Sequence, residues 1–124
     1  MKETIKAVGA PEAIGPYSHA VVAGNLMFLS GQVAIVPATG IIPEGITAQT
    51  KQAIENVKAI LAAKGATLAN VVKTTVYLAD MSLFGAMNEV YAAEFSEPFP
   101  ARSAIAVKEL PKAALVEIEV VAVL

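Results

Sequence analysis

The chain contains a single arginine. Arg102 lies in "FPARSAIAV", from Phe99 to Val107, a run of small and β-branched residues that opens on a proline and reads as a strand. Every other basic side chain except His19 is a lysine. A lone guanidinium is expensive to take out of water, so such a group goes inside only with a partner. Two chemistries fit. The planar fork of a guanidinium meets a carboxylate through two parallel hydrogen bonds, so Arg102 can receive the acid group of a ligand, which then supplies the counter-ion. Alternatively, Arg102 forms a structural ion pair with Glu117 or Glu119, the two carboxylates of "LVEIEVVAV", on a neighbouring strand or on a neighbouring subunit. Those glutamates are themselves unusual on a largely apolar strand. A carboxylate there needs a partner or a task, such as holding a water and accepting its proton.

Other chemistries are poorly supplied. With no cysteine there is no disulfide framework, thiolate nucleophile or thiolate metal site. The one histidine, His19, argues against a histidine metal cluster and reads as packed or solvated, with a supporting role open because it neighbours Tyr17. A net charge of −2, a pI near 5.3 and scattered lysines oppose nucleic-acid binding, which needs a basic stripe. The start, "MKETIKAVGA", is too polar for a secretory signal. The apolar stretch "AVVAGNLMFLSGQVAIV" is broken by Gly24-Asn25 and again by Ser30, Gly31 and Gln32, so it reads as strands and not as a membrane span. The expectation is a soluble cytoplasmic protein with no nucleic-acid or membrane partner.

The elements that must position these residues follow from periodicity. A short strand is expected over Glu3–Ala7, then a turn-rich loop, "APEAIGPY". A hairpin follows, His19–Ala23 and Leu26–Ser30, across Gly24-Asn25. Ala53, Ile54, Val57, Ile60 and Leu61 recur at three- and four-residue steps and predict a helix over Thr47–Lys64, with Lys51, Gln52, Glu55 and Lys58 on the other face and Gly65 as the stop. Val71–Leu78 reads as a strand. Asp80 or Ser82 can cap a second helix, about Leu83–Phe95, with Phe84, Met87, Val90, Tyr91 and Phe95 as its buried stripe. The Arg102 strand and a last strand, Leu115–Leu124, complete the chain.

Hydrophobic residues make up 56% of the 124 residues and charged ones only 16%, against about 25% charged in an average domain. One domain spanning 1–124 is expected, and so few charges leave apolar surface that a second copy would cover. The last strand agrees. Val116, Ile118, Val120, Ala122 and Leu124 share one face, and the other carries Leu115, Glu117, Glu119, Val121 and Val123. Two helices can cover one face only, so a neighbouring subunit is the natural cover for the other.

The combination "GPYS", "SGQ", "NEVY", "PARS" and "LPKAALVEIE" resembles the Rid (reactive intermediate deaminase) or YjgF family, and the likeness runs over nearly the whole chain. The resemblance implies an α+β, chorismate-mutase-like fold: a mixed sheet of about six strands with two helices on one face. It implies a homotrimer whose sheets form a central barrel, with ligand clefts at the subunit boundaries. The implied activity is hydrolysis of 2-imino acids such as 2-iminobutanoate and 2-iminopropanoate, and of the 2-amino-acrylates that tautomerise to them, to 2-oxo acids and ammonia, with no metal or organic cofactor. The matching cleft positions are Tyr17, Ser30, Gly31, Asn88, Arg102 and Glu117, and the arginine is the mark of the imine-deaminase (RidA-like) subgroup. Ala104 also falls at a substrate-binding position, one where many members carry cysteine, and His19 stands where many carry glutamine.

On that resemblance Arg102 holds the substrate carboxylate and Glu117 positions and activates water, while Glu119 is left structural. Tyr17 would close the cleft, and the Ser30-Gly31 hydroxyl and backbone N–H would point at the ligand, although taken alone these residues read as turn and packing positions and Asn88 as a solvated helix position. Placing substrate and water beside one general base can suffice, because such imines already hydrolyse readily. A non-catalytic binder of 2-oxo acids or amino acids in the same cleft, or a chaperone-like protein, is the competing reading.

Overall fold

The computed structural model describes residues 1–124. Six strands, β1 (Lys2–Ile5), β2 (Ala20–Ala23), β3 (Leu26–Leu29), β4 (Val71–Leu78), β5 (Ala101–Ala106) and β6 (Val116–Val123), form one sheet in the order β1-β2-β3-β6-β4-β5. All neighbours are antiparallel except β4 and β5. A parallel pair needs a crossover, and helix α2 (Phe84–Glu94) supplies it. Helix α1 (Ile46–Ala62) links β3 to β4. This is the α+β architecture expected: two helices and a six-stranded mixed sheet. No helix is long and apolar enough to cross a membrane.

The apolar stripe of α1 is buried against the sheet: Ala53, Ile54, Val57, Ile60 and Leu61 are each at most 1% exposed. Each larger member of that stripe contributes about 1.5–3 kcal/mol by leaving water. They meet Val116, Ile118, Val120 and Ala122 of β6, all buried. From α2, Met87 and Tyr91 are buried along with the following Phe95, while Phe84 and Val90 are only partly covered.

Boundaries differ from expectation for local reasons. β1 stops at Ile5 and not at Ala7, because the Ala7 N–H leaves the ladder to donate to His19 Nδ1 at 2.8 Å. α1 ends at Ala62, and the next three residues tighten into i→i+3 bonds before Gly65, at φ +68°, turns the chain out. Asp80 caps Ser82 N–H at 2.8 Å, but at a short 3-10 turn, Met81–Leu83, that precedes α2.

The second face of the sheet is uncovered by the chain itself. Glu117, Glu119, Val121 and Val123 are half-buried there, Phe28 stands beside Val121, and Phe28 and Ile105 are exposed.

Candidate active site

Register decides where the two chemical groups point. Arg102 pairs with Thr74 of β4, whose side chain is fully buried on the helix side of the sheet. Glu117 pairs with Tyr77, three residues on from Thr74 and so on the opposite face. β4 also lies between β5 and β6. Within one chain, therefore, Arg102 and Glu117 occupy different faces on non-adjacent strands. The internal ion pair with Glu117 or Glu119, one of the two readings of the sequence, is not formed.

Arg102 instead sits half-buried on an edge strand against α2. Its Nη1 donates to Asn88 Oδ1 at 2.7 Å. The guanidinium carbon lies 4.7 Å from the centroid of the Tyr91 ring and 5.4 Å from that of Phe84, within cation–π range. Tyr91 is fixed in turn. Its hydroxyl shares a 2.8 Å hydrogen bond with Thr74 and its ring stacks on Phe95 at 4.3 Å. Burial raises the Tyr91 phenol above its ordinary value, against opposing pulls from Thr74 and Arg102. Asn88, Tyr91, Phe99, Pro100 and Arg102 line a shallow cleft of about 390 Å³. No carboxylate of the chain pairs with Arg102, so the rest of its fork is available.

The other half lies at the end of β3 and the start of β6. Tyr17, Ser30, Gly31, Glu117 and Lys112 are among the residues lining a cleft of about 550 Å³. The lack of a side chain at Gly31 leaves room for Glu117: a Cβ there would run into the Glu117 carboxylate, standing 2.9 Å from its Cδ, and would displace it. Burial raises the Glu117 carboxyl above its ordinary value, and the nearby charge of Glu119 pushes the same way. Glu119 accepts a 2.5 Å hydrogen bond from Tyr77, which raises the tyrosine in turn. The Ser30 hydroxyl donates to the Ser18 carbonyl at 2.6 Å and ties down the loop that carries Tyr17. His19 is buried as a bracket, its Nδ1 accepting from Ala7 N–H and its Nε2 donating to the Pro11 carbonyl at 2.7 Å. A third depression, about 560 Å³, runs past His19 and shares Tyr17 and Glu12 with the Glu117 cleft. Ala104 lies on the Arg102 side of β5, packs against the core and lines neither of the two chemical clefts. No three His, Cys, Asp or Glu side chains converge in a way that could hold a metal ion.

The positions the sequence singled out thus fall in two separate clefts, Asn88 and Arg102 in one and Tyr17, Ser30, Gly31 and Glu117 in the other, with Ala104 in neither. Lys112 was missed. It stands in the second cleft on a strained turn, with φ +57° at Lys112 and +54° at Ala113.

Residues 7–124 match the family described as Endoribonuclease L-PSP. The chain belongs to this family, also called Rid or YjgF. A RutC family protein of Pyrococcus horikoshii is 54% identical over 123 residues, 98% of each chain. The 2-iminobutanoate/2-iminopropanoate deaminase of Escherichia coli K12 is 44% identical over 126 residues, 99% of this chain and 98% of that one. Among solved structures, RidA from an Antarctic Psychrobacter superposes with a TM-score of 0.95 at 47% identity, covering 98% of this chain and 99% of the other. E. coli TdcF with bound serine superposes at 0.93 and 38% identity, covering 98% of both. The Rid fold is therefore shared along practically the whole chain.

Proposed function

We propose that this protein hydrolyses small 2-imino acids, with the 2-amino-acrylates that tautomerise to them, to 2-oxo acids and ammonia, at clefts shared between copies of the chain in a homotrimer. The observation that carries this reading is Arg102: an edge-strand guanidinium steadied by Asn88, Tyr91 and Phe84 and paired with no carboxylate of its own chain. A site of this kind fits an incoming acid group. Because Glu117 faces the other side of the sheet, the carboxylate and the guanidinium meet only when a second protomer brings its Glu117 cleft to the β5 edge of the first. The uncovered face with Phe28, Val121 and Ile105 gives such association an apolar surface to bury.

In the assembled site Arg102 holds the substrate carboxylate, which fixes C2 relative to the neighbouring Glu117. A water between them loses a proton to the Glu117 carboxylate as its oxygen bonds to C2 of the protonated imine. The π pair of the C=N bond moves to nitrogen, giving a tetrahedral carbinolamine. Glu117 then returns the proton to that nitrogen. The C–N bond breaks, ammonia leaves, and the Glu117 carboxylate takes the hydroxyl proton as the carbonyl forms. One base serves both directions of proton transfer. The Gly31 N–H and the Tyr17 phenol border the same space. Tyr17 closes the cleft and the Gly31 N–H steadies the ligand.

The deaminase name of relatives at 44% identity supports the reaction, and serine bound to TdcF supports an amino-acid-sized ligand. The RutC family protein at 54% identity is named for its family alone, which keeps a non-catalytic binder of the same ligands as the second reading. Ribonuclease chemistry fits worse. One cleft holds a single cation, and the other sets Lys112 among Glu12, Glu117 and Glu119, a poor surface for a polyanion.

The test generates 2-imino acids with an amino-acid oxidase and traps the surviving imine with semicarbazide. Wild-type protein should outcompete the trap. Arg102→Ala and Arg102→Lys should fail, the lysine variant because it keeps the charge and loses the fork. Wild-type protein that leaves the semicarbazone yield unchanged would leave the binder reading standing.

A further inference from the structure

Both walls of the Glu117 cleft hang from α1 by hydrogen bonds between buried polar side chains and backbone. On one side, Asn56 is 1% exposed. Its Nδ2 donates to the Val33 carbonyl at 3.0 Å and the Ile35 carbonyl at 2.9 Å, and its Oδ1 accepts from Gln52 Nε2 at 2.9 Å. Val33 and Ile35 line the cleft in the segment that also carries Ser30 and Gly31. On the other side, Gln49, 6% exposed, accepts the Leu115 N–H at 2.9 Å. Leu115 lies two residues after the strained Lys112–Ala113 turn and leads through Val116 into Glu117. Gln49 and Asn56 lie seven residues apart in α1, two turns along one helix face, so one rigid element sets the spacing of both walls.

We propose that Asn56 and Gln49 are positioning residues for imine hydrolysis, holding the Gly31–Ile35 segment and the Pro111–Leu115 turn at the separation that seats a water against Glu117. The inference rests on the deaminase reading above and extends it to residues that touch neither substrate nor water. An apolar residue at position 56 would satisfy packing equally well. The amide instead has every donor and acceptor engaged, three of them on the loop wall or the Gln52 brace, and it reaches loop carbonyls more than twenty residues away in sequence. Without these ties the loop wall is joined to the rest of the fold by the Gln32–Ile118 bridge and, at its start, by the bonds of Ser30 to Ser18 and His19, and water enters beside Glu117. The groups facing Glu117 are Glu119 on its own strand, Tyr77 from β4, Glu12 and Tyr17 from the β1–β2 loop, and Lys112 from the turn before β6. None of them changes in the variants below, so a shift in the pH profile reports the wall.

The experiment uses the full-length assembled protein. Asn56→Leu keeps the branch at Cγ and removes the donors, at the cost of added volume in a buried position and with a higher helix propensity, and Gln49→Met removes the amide that accepts on the opposite wall, which keeps the test in hand if the first variant does not fold. Three readouts are taken: amide hydrogen exchange over residues 32–36 and 114–115, kcat and KM per folded active site, and the acid limb of kcat/KM. The expected result is faster exchange in the tethered wall and a 10- to 100-fold loss in kcat, as small displacements of reacting groups produce. KM should stay within about twofold, because Arg102 of the neighbouring protomer still holds the carboxylate. The acid limb should move down towards an ordinary carboxylate as water reaches Glu117. Unchanged exchange overturns the clamp. Faster exchange with kcat and the acid limb both unmoved overturns its catalytic role, and so does a loss of kcat without a shift of the limb. Wild-type protein that hydrolyses no imine overturns the deaminase reading and the catalytic role with it, while the exchange data still decide whether the clamp exists.

Discussion

If Arg102 and Glu117 serve one reaction, as proposed, their places on opposite faces of one sheet require each complete site to draw them from different protomers. Two inactive variants, Arg102→Ala and Glu117→Gln, should then rescue one another. In a closed ring with heterologous contacts, each site takes its arginine from one protomer and its glutamate from the next. After random co-assembly at equal amounts, an arginine-bearing protomer supplies a given site about half the time, and a glutamate-bearing one fills the other side about half the time. About one-quarter of sites are whole, independent of the number of protomers in the ring. A reciprocal dilution sharpens the result. Wild type mixed equally with the double variant should keep about one-quarter of its activity per site if sites are shared, and about one-half if they lie within protomers. The assay is imine hydrolysis in competition with semicarbazide, on mixtures unfolded and refolded together and checked for co-assembly with two affinity tags. Activity near zero from the two single variants, with mixed rings demonstrated, would refute the division of the site between chains.

Gly31→Ala places a methyl group against the Glu117 carboxylate, and since the obstacle is the end of a flexible side chain the carboxylate should swing away: kcat/KM falls about 10- to 100-fold while the thermal midpoint moves by only a degree or two, on the order expected for a perturbation under ~0.5 kcal/mol. Glu117→Gln should cost catalysis and add stability at neutral pH. Burial and Glu119 hold the Glu117 carboxyl above its ordinary value, so its protonated form favours the folded state below the unfolded carboxylate range, and that contribution is lost as pH rises through the raised value. Removing the charge should gain at most about 1 kcal/mol at pH 7 after screening at a half-exposed group, shrinking to nothing near pH 4; urea midpoints across that range measure it, and a variant less stable than wild type at pH 7 contradicts the sign.

Much of the fold was legible because it rests on local rules. Val71–Leu78 is rich in Val, Thr and Tyr and forms β4 over those same eight residues. The alternation at Val116–Val123 separated a buried face from a half-buried one, as observed in β6. The division of Arg102 from Glu117 was not legible, because it depends on β4 inserting between β5 and β6 and on the parallel β4–β5 pairing, neither of which leaves a mark in either strand. Gln49 and Asn56 escaped for a different reason. They sit in one buried stripe with Ala53 and Ile60, where a polar residue is an exception that must find hydrogen bonds. The polar face read from the sequence held only Lys51, Gln52, Glu55 and Lys58 and left Gln49 and Asn56 unassigned; asking which polar residues fall within the stripe would have exposed them.

The split site also accounts for the composition. An edge strand such as β5 exposes unpaired backbone groups that proteins usually guard with lysine or proline. Here the edge carries Ala101, Ser103 and Ile105 outward from the helix face, and its only cation, Arg102, is turned towards α2 and held by Asn88. A monomer would gain from a charged guard on that edge. A chain whose reaction requires its edge to meet another copy cannot accept one, since the same charge would oppose the contact that completes the site. On the proposed function, the low charge content and the uncovered sheet face are two consequences of one requirement, that association be part of catalysis, and dilution below the assembly constant should remove activity in step with the oligomer.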